Sequence, residues 1–85
     1  MSMNYTVDLK PRVIKDLKHL QKQDASRIAD ALERLRSDLT GDVKKLTNFT
    51  PEYWLRVGQF RVLFEIENET QIIVYRVVHR REAYR

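Results

Sequence analysis

YWLRVGQFRVLFEI, residues 53–66, is the stretch on which the fold turns. Tyr53, Leu55 and Val57 alternate with Trp54 and Arg56, and Gly58-Gln59 then interrupts the pattern. Beyond it Phe60, Val62, Phe64 and Ile66 alternate with Arg61, Leu63, Glu65 and Glu67. A period of two on both sides of a glycine-led dipeptide predicts two antiparallel strands joined by a tight turn. Further on, Asn68-Glu69 reads as a second turn. Gln71 to Val78 is nearly continuous in apolar and aromatic residues, the pattern of a central strand covered on both faces. Residues 79–85 read as a short polar tail.

Working back from Tyr53, the residues from Asp42 to Pro51 read as a polar connection carrying Lys44, Lys45 and Leu46. Before it, Ile28, Leu32, Leu35 and Leu39 recur at steps of four, three and four. That spacing predicts a core-facing helix, with Asp24 as its N-cap and Gly41 as its stop. Val13, Ile14, Leu17 and Leu20 follow the same rule after Pro11, which suits a first helical turn, so a helix is expected over about 11–21. The short link predicts an antiparallel helical hairpin. Tyr5, Val7 and Leu9 alternate with Thr6 and Asp8 and predict a first strand that pairs with the late ones. The expected fold is therefore α+β: an N-terminal strand, the helical hairpin, then three antiparallel strands. Together they would form a roughly four-stranded sheet with the helices on one face.

A chain of 85 residues is expected to form a single domain, residues 1–85. Cysteine is absent, which excludes disulfides and thiolate metal sites, and two separated histidines do not make a zinc site. No metal or other cofactor is expected. No apolar run approaches the roughly 20 residues that span a bilayer, and residues 1–10 lack a signal-peptide core. A cytoplasmic protein without membrane contact is expected.

The net charge is +4, from 16 basic and 12 acidic residues. Its distribution is uneven: all six lysines lie at or before Lys45, and every later basic residue is an arginine. Arginine suits planar, bidentate contact with phosphate. Arg56, Arg61, Arg76, Arg80, Arg81 and Arg85 thus lie on the half of the chain best suited to reading phosphates. From charge alone the plainer reading is a set of surface arginines paired with Glu65, Glu67, Glu69 and Glu82.

If Phe60, Val62, Phe64 and Ile66 face the helices, Arg61 faces away from them. Arg56 falls on the same open face, and His79 and Arg80 at the end of the last strand adjoin it, with Tyr84 close behind in sequence. Such a set suits RNA cleavage without metal. Histidine titrates near neutrality and can carry protons, arginines can hold a pentavalent phosphate, and Trp54 could stack a base. Each residue also has a quieter reading: His79 as a solvated histidine, Trp54 as core filling, Tyr84 as a packed ring, Lys44 and Lys45 as a solvated loop.

Residues 53–66 followed by VVHRREAYR, residues 77–85, resemble the RelE/ParE toxin superfamily. Its pattern is RVG-x-[YF]-R-V, an acidic hairpin turn, then HR-x-x-x-YR. Here it is matched by Arg56-Val57-Gly58-Gln59-Phe60-Arg61-Val62, His79-Arg80 and Tyr84-Arg85. The early strand, the helical hairpin and the KKL segment at Lys44 to Leu46 agree with it. The resemblance implies a toxin of a type II pair that enters the ribosomal A site and cuts mRNA, by attack of the 2′-OH on the adjacent phosphate. By matched position, Arg61 would stabilise the phosphate, and Arg80 would do likewise or assist the leaving group. Tyr84 would act as base or orient the substrate, Arg56 would add a cation, and His79 would carry protons. Lys44, Lys45, Trp54, Arg81 and Arg85 are assigned to substrate binding. The implied partners are a cognate antitoxin, the ribosome with its rRNA, and mRNA. Trp54 departs from the lysine of some members, and no glutamate partner for His79 is evident. Two other readings are a ParE-type gyrase inhibitor without nuclease activity and a harmless RNA-binding module.

Overall fold

The computed structural model describes residues 4–38, 42–45 and 51–83. Strand β1 (Thr6–Leu9) leads into helix α1 (Pro11–Lys18) and helix α2 (Lys22–Asp38). Strands β2 (Asp42–Lys45), β3 (Tyr53–Val57), β4 (Phe60–Glu67) and β5 (Gln71–His79) follow, and a single helical turn, α3 (Arg80–Ala83), comes last. The sheet has five strands in the order β1-β5-β4-β3-β2. Only β1 and β5 run parallel; the remaining neighbours are antiparallel. The α+β architecture with helices over one sheet face is the one expected.

Four elements differ from the expectation. Asp42 to Lys45, read as part of a connection, is an edge strand, with Val43 opposite Leu55 on the core side. Four residues with one apolar member carry no alternation, and lysines blunt a sheet edge. The tail after His79 begins with the turn of helix α3. Helix α2 starts at Lys22, so Asp24 sits inside its first turn, where a negative charge favours the helix dipole, rather than capping it. Helix α1 stops at Lys18, short of the expected end, with Pro11 in its first turn as expected. Leu39, Gly41 and Leu46 lie outside the described residues.

The core is built from the two predicted periodicities. Val13 of α1 and Ile28, Ala31, Leu32 and Leu35 of α2 are buried against Leu55, Val62, Phe64, Ile72, Val74 and Val77 of the sheet. Tyr53 stacks on Phe64 with ring centres 5.6 Å apart. Ile14, expected on the packed face of α1, is 43% exposed. The β3–β4 turn is of the two-residue kind, Gly58-Gln59, whereas three residues, Asn68 to Thr70, join the paired Glu67 and Gln71. Gly58 has φ +58° at the first turn position, where a glycine costs least. Asn68 and Glu69 are both left-handed, φ 52° and 64°, a conformation uncommon for residues other than glycine.

β1 pairs with β5 only from Gln71 to Val74, so it leaves the edge of β5 beyond that point without a strand neighbour. Helix α1 covers it. The Asp16 carboxylate accepts the Val77 backbone N–H at 2.9 Å and the Arg76 Nε–H at 2.8 Å, with Arg76 Nη2 at 3.2 Å. Burial alone would raise the Asp16 pKa. The bonds from Arg76 and from the Val77 N–H, the Arg76 charge and a bond from Arg12 outweigh it, and the pKa lies below its ordinary value. The hydrogen bond to Asp16 in turn raises Arg76.

The other position where the sheet departs from regularity is a bulge in β5. Leu63 pairs with Arg76 and Phe64 with Val74, which leaves Tyr75 as the extra residue. Its consequence for side-chain direction reaches the end of the strand.

Candidate functional site

The β3–β4 hairpin sets the site. Arg56 lies directly opposite Arg61, and Arg61 lies opposite Val78 on β5. All three occupy the pleat facing away from the core residues Leu55, Val62 and Val77. The sequence expectation that Arg56 and Arg61 share the open face is met. Their environments differ: Arg56 is exposed, whereas Arg61 is only 5% exposed.

Three contacts account for Arg61. Its Nη1 donates to the backbone carbonyls of Phe60 at 3.0 Å and Gly58 at 3.3 Å, folding the side chain back onto the turn. Its guanidinium carbon stands 4.7 Å from the centre of the Trp54 ring. Such a stack is worth about 2 kcal/mol when desolvated. Its Nε is buried without a hydrogen-bond partner. A buried, unpaired donor on a charged group is costly.

At the far end of the hairpin the last strand meets the turn. The Arg80 N–H donates to the Gln59 carbonyl at 2.7 Å, which ties the start of α3 to the β3–β4 turn. His79 pairs with Phe60 and packs edge-on against its ring, centres 5.7 Å apart. His79 therefore takes the pleat phase of Phe60, opposite to that of Arg61. Both ring nitrogens are engaged: Nδ1 accepts the Arg81 N–H at 3.2 Å, and Nε2 lies 3.1 Å from Gln59 Oε1. With Nδ1 accepting, the neutral ring carries its proton on Nε2 and donates to the Gln59 amide oxygen.

The structure thus brings Arg56, Arg61 and Trp54 together on the open face and places His79, Arg80 and Arg81 around the turn at its end. Arg80 and Arg81 are exposed. Lys44 is opposite Trp54 on β2, and Lys45 pairs with Glu52 at 3.7 Å. Tyr84 and Arg85 lie outside the described residues. Among the described residues, none of Arg56, Arg61, Arg80 and Arg81 has a carboxylate within ion-pair distance. The expected pairing with nearby glutamates is not found there: Glu65 instead accepts the Glu52 backbone N–H at 2.7 Å. Arg76 is neutralised by Asp16. Gln59 was missed by sequence reasoning, since a turn glutamine carries no signal of its own, yet it touches His79 and the Arg80 backbone. No group of three or more histidine, aspartate or glutamate side chains able to hold a metal occurs among the described residues. No helix among them is long and apolar enough to cross a membrane.

Comparison with known proteins agrees with this arrangement. Residues 7–84 match the family described as ParE toxin of type II toxin–antitoxin system, parDE. A protein named RelE1 from Methanocaldococcus jannaschii is 32% identical over 85 residues, covering 95% of this chain and 94% of the relative. Toxin RelE3 from the same organism is 36% identical over 76 residues, covering 84% of this chain and 85% of the relative. Among solved structures, one chain of the RelB–RelE antitoxin–toxin complex from Methanococcus jannaschii superposes with a TM-score of 0.74 at 31% identity. It covers 91% of this chain and 94% of its own.

Proposed function

The chain belongs to the ParE toxin family of type II toxin–antitoxin systems, and on that premise we propose that it is an endoribonuclease that cuts mRNA in the ribosomal A site. The observation that carries this reading is the arginine cluster at the β3–β4 hairpin, which no carboxylate among the described residues neutralises. A gyrase inhibitor would need a binding surface. A nuclease needs cations placed around one phosphate, and the pairing of Arg56 with Arg61, with Arg80 tied to the same turn through its backbone, supports that reading.

In the proposed reaction the ribose 2′-oxygen attacks the adjacent phosphorus and loses its proton to a base. The bond to the 5′-oxygen breaks, and that oxygen takes up a proton. A cyclic 2′,3′-phosphate and a 5′-hydroxyl result. Arg61 stabilises the charge on the pentavalent phosphate. Arg80 supports the same phosphate or the departing oxygen, and Arg56 adds positive potential. His79, next to Arg80 at the end of β5, is assigned as a proton carrier, and it must exchange its Arg81 or Gln59 bond to act. Tyr84, by its match to the family pattern, orients the substrate or serves as base. Lys44, Arg81 and Arg85 hold the RNA backbone. The chemistry draws its charge stabilisation from these guanidinium groups and asks for no metal or other cofactor. The partners proposed are mRNA, the ribosome and a cognate antitoxin; relatives solved as RelB–RelE complexes support the last.

Expressed alone in bacteria, the chain should arrest growth and translation, with mRNA cut at ribosome-bound codons to leave 5′-hydroxyl ends. Arg61→Ala or Arg80→Ala should slow cleavage by about 10²–10³-fold, the scale for losing one group that stabilises a transition state. Purified protein that blocks DNA supercoiling and leaves translating mRNA whole would establish the gyrase reading instead. A chain that binds RNA and is harmless when expressed alone would refute both toxin readings.

A further inference from the structure

Trp54 was assigned above to base stacking, yet one face of its ring is already covered. Trp54 pairs with Leu63 across the hairpin, and Arg61 lies two residues before Leu63 on the same face. The two side chains are diagonal neighbours, a spacing that long and aromatic residues bridge. The guanidinium sits 4.7 Å above the indole and, among the described residues, is otherwise held by two turn carbonyls through Nη1. Its Nε, buried and without a partner, is left over.

We propose that Trp54 is a positioning residue: its indole face fixes the Arg61 guanidinium in the sheet, so that the remaining donor capacity is committed to a phosphate oxygen. The inference rests on Arg61 being the phosphate contact. An arginine has several rotatable bonds and many rotamers, and holding it by Nη1 alone would leave the group free to swing. A stack on an aromatic face removes that freedom without using an N–H donor. The indole is a donor only, so it does not compete for the arginine N–H groups that a phosphate would take. On this view the covered face of Trp54 serves Arg61, and a nucleobase does not stack there.

The test uses the purified full-length chain, ¹⁵N-labelled, with inorganic phosphate as the probe. The Arg61 Nε–H signal is identified by its loss in Arg61→Lys. In the wild type it should be protected from solvent exchange, displaced by the indole ring current, and moved by phosphate. Trp54→Phe keeps an aromatic face and should retain the protection and phosphate affinity within about threefold. Trp54→Leu should keep the backbone spectrum, lose the protection and bind phosphate about tenfold more weakly, a difference of about 1.4 kcal/mol. If the leucine variant fails to fold, Trp54→Met is judged by the same criteria. The proposal is overturned if phosphate leaves Arg61 Nε–H unmoved, if the leucine variant binds as well as the wild type, or if phenylalanine fails as badly as leucine. A wild type that passes every step but leaves mRNA whole refutes the nuclease reading and leaves Trp54 as the positioner of Arg61. A wild type that cuts mRNA, with Arg61 indifferent to Trp54, refutes only the present inference.

Discussion

Replacing Asp16 by alanine should cost this fold about 2–3 kcal/mol. Asp16 is 10% exposed and holds the one stretch of β5 that β1 does not reach. Its loss strips the acceptor from the Val77 N–H, in a residue that is 4% exposed, and a buried donor left unsatisfied costs about 1–3 kcal/mol. The ion pair adds less, because the Arg76 side chain is 36% exposed and partly screened; about 0.5 kcal/mol is a fair share. At a urea slope of about 1–1.5 kcal/mol per molar for so small a domain, the midpoint should fall by about 2 M. Asp16→Asn keeps an acceptor for Val77 and should lose less than half as much. The pH dependence follows from the lowered pKa. The folded chain holds the Asp16 proton less tightly than the unfolded chain, whose carboxyl titrates near 3.8. The contribution is therefore complete above that value and disappears as the pH falls through the folded pKa below it. The stability gap between wild type and Asp16→Asn should close over the same acidic range. A midpoint shift under about 0.3 M for Asp16→Ala, or equal losses for alanine and asparagine, would refute the claim that the Val77 cap dominates.

Two further substitutions test the hairpins and the core. Glu69 is left-handed at φ 64° without being a glycine, so Glu69→Gly should stabilise the fold by about 0.5–1 kcal/mol, seen as a higher melting temperature. Phe64 is fully buried and stacked on Tyr53; Phe64→Ala should cost about 3–5 kcal/mol, and circular dichroism should find much of the variant unfolded at 37 °C.

The sequence carried most of the fold because its two periodicities are clean where it matters. Residues 53–66 keep an apolar residue at every core-facing position, the first turn falls at Gly58-Gln59 as expected, and the second takes in Thr70 besides Asn68 and Glu69. Strand β2 was illegible because Asp42, Lys44 and Lys45 leave Val43 as its only apolar residue; pairing with β3, a tertiary effect, makes it a strand. Asp16 was illegible for a different reason. On its own helix it is an ordinary polar residue, and its partners Arg76 and Val77 lie 60 and 61 positions away. Arg61 was placed on the right face, but its burial was not foreseen. The polar phase of a strand is usually solvated, and here Trp54 and the turn carbonyls take the place of solvent.

His79 shows most directly how one local irregularity redirects a site. In a regular strand Ile72, Val74, Arg76 and Val78 would share the core face, and His79 would emerge beside Arg61. The bulge at Tyr75 reverses that parity, because one extra residue sends every later side chain to the opposite face. Val77 then enters the core, Val78 joins Arg61 on the open pleat, and His79 turns to Phe60 and Gln59. The run from Ile72 to Val78 is apolar or aromatic on both parities except at Arg76, so the pattern contained nothing to choose between them. The same bulge precedes the two residues anchored by Asp16, which fixes where β5 ends relative to the turn at Gly58. His79 and Arg61 consequently leave adjacent strands on opposite pleats. Under the proposed nuclease reading, that separation assigns the two groups to different atoms of one phosphodiester rather than to the same oxygen.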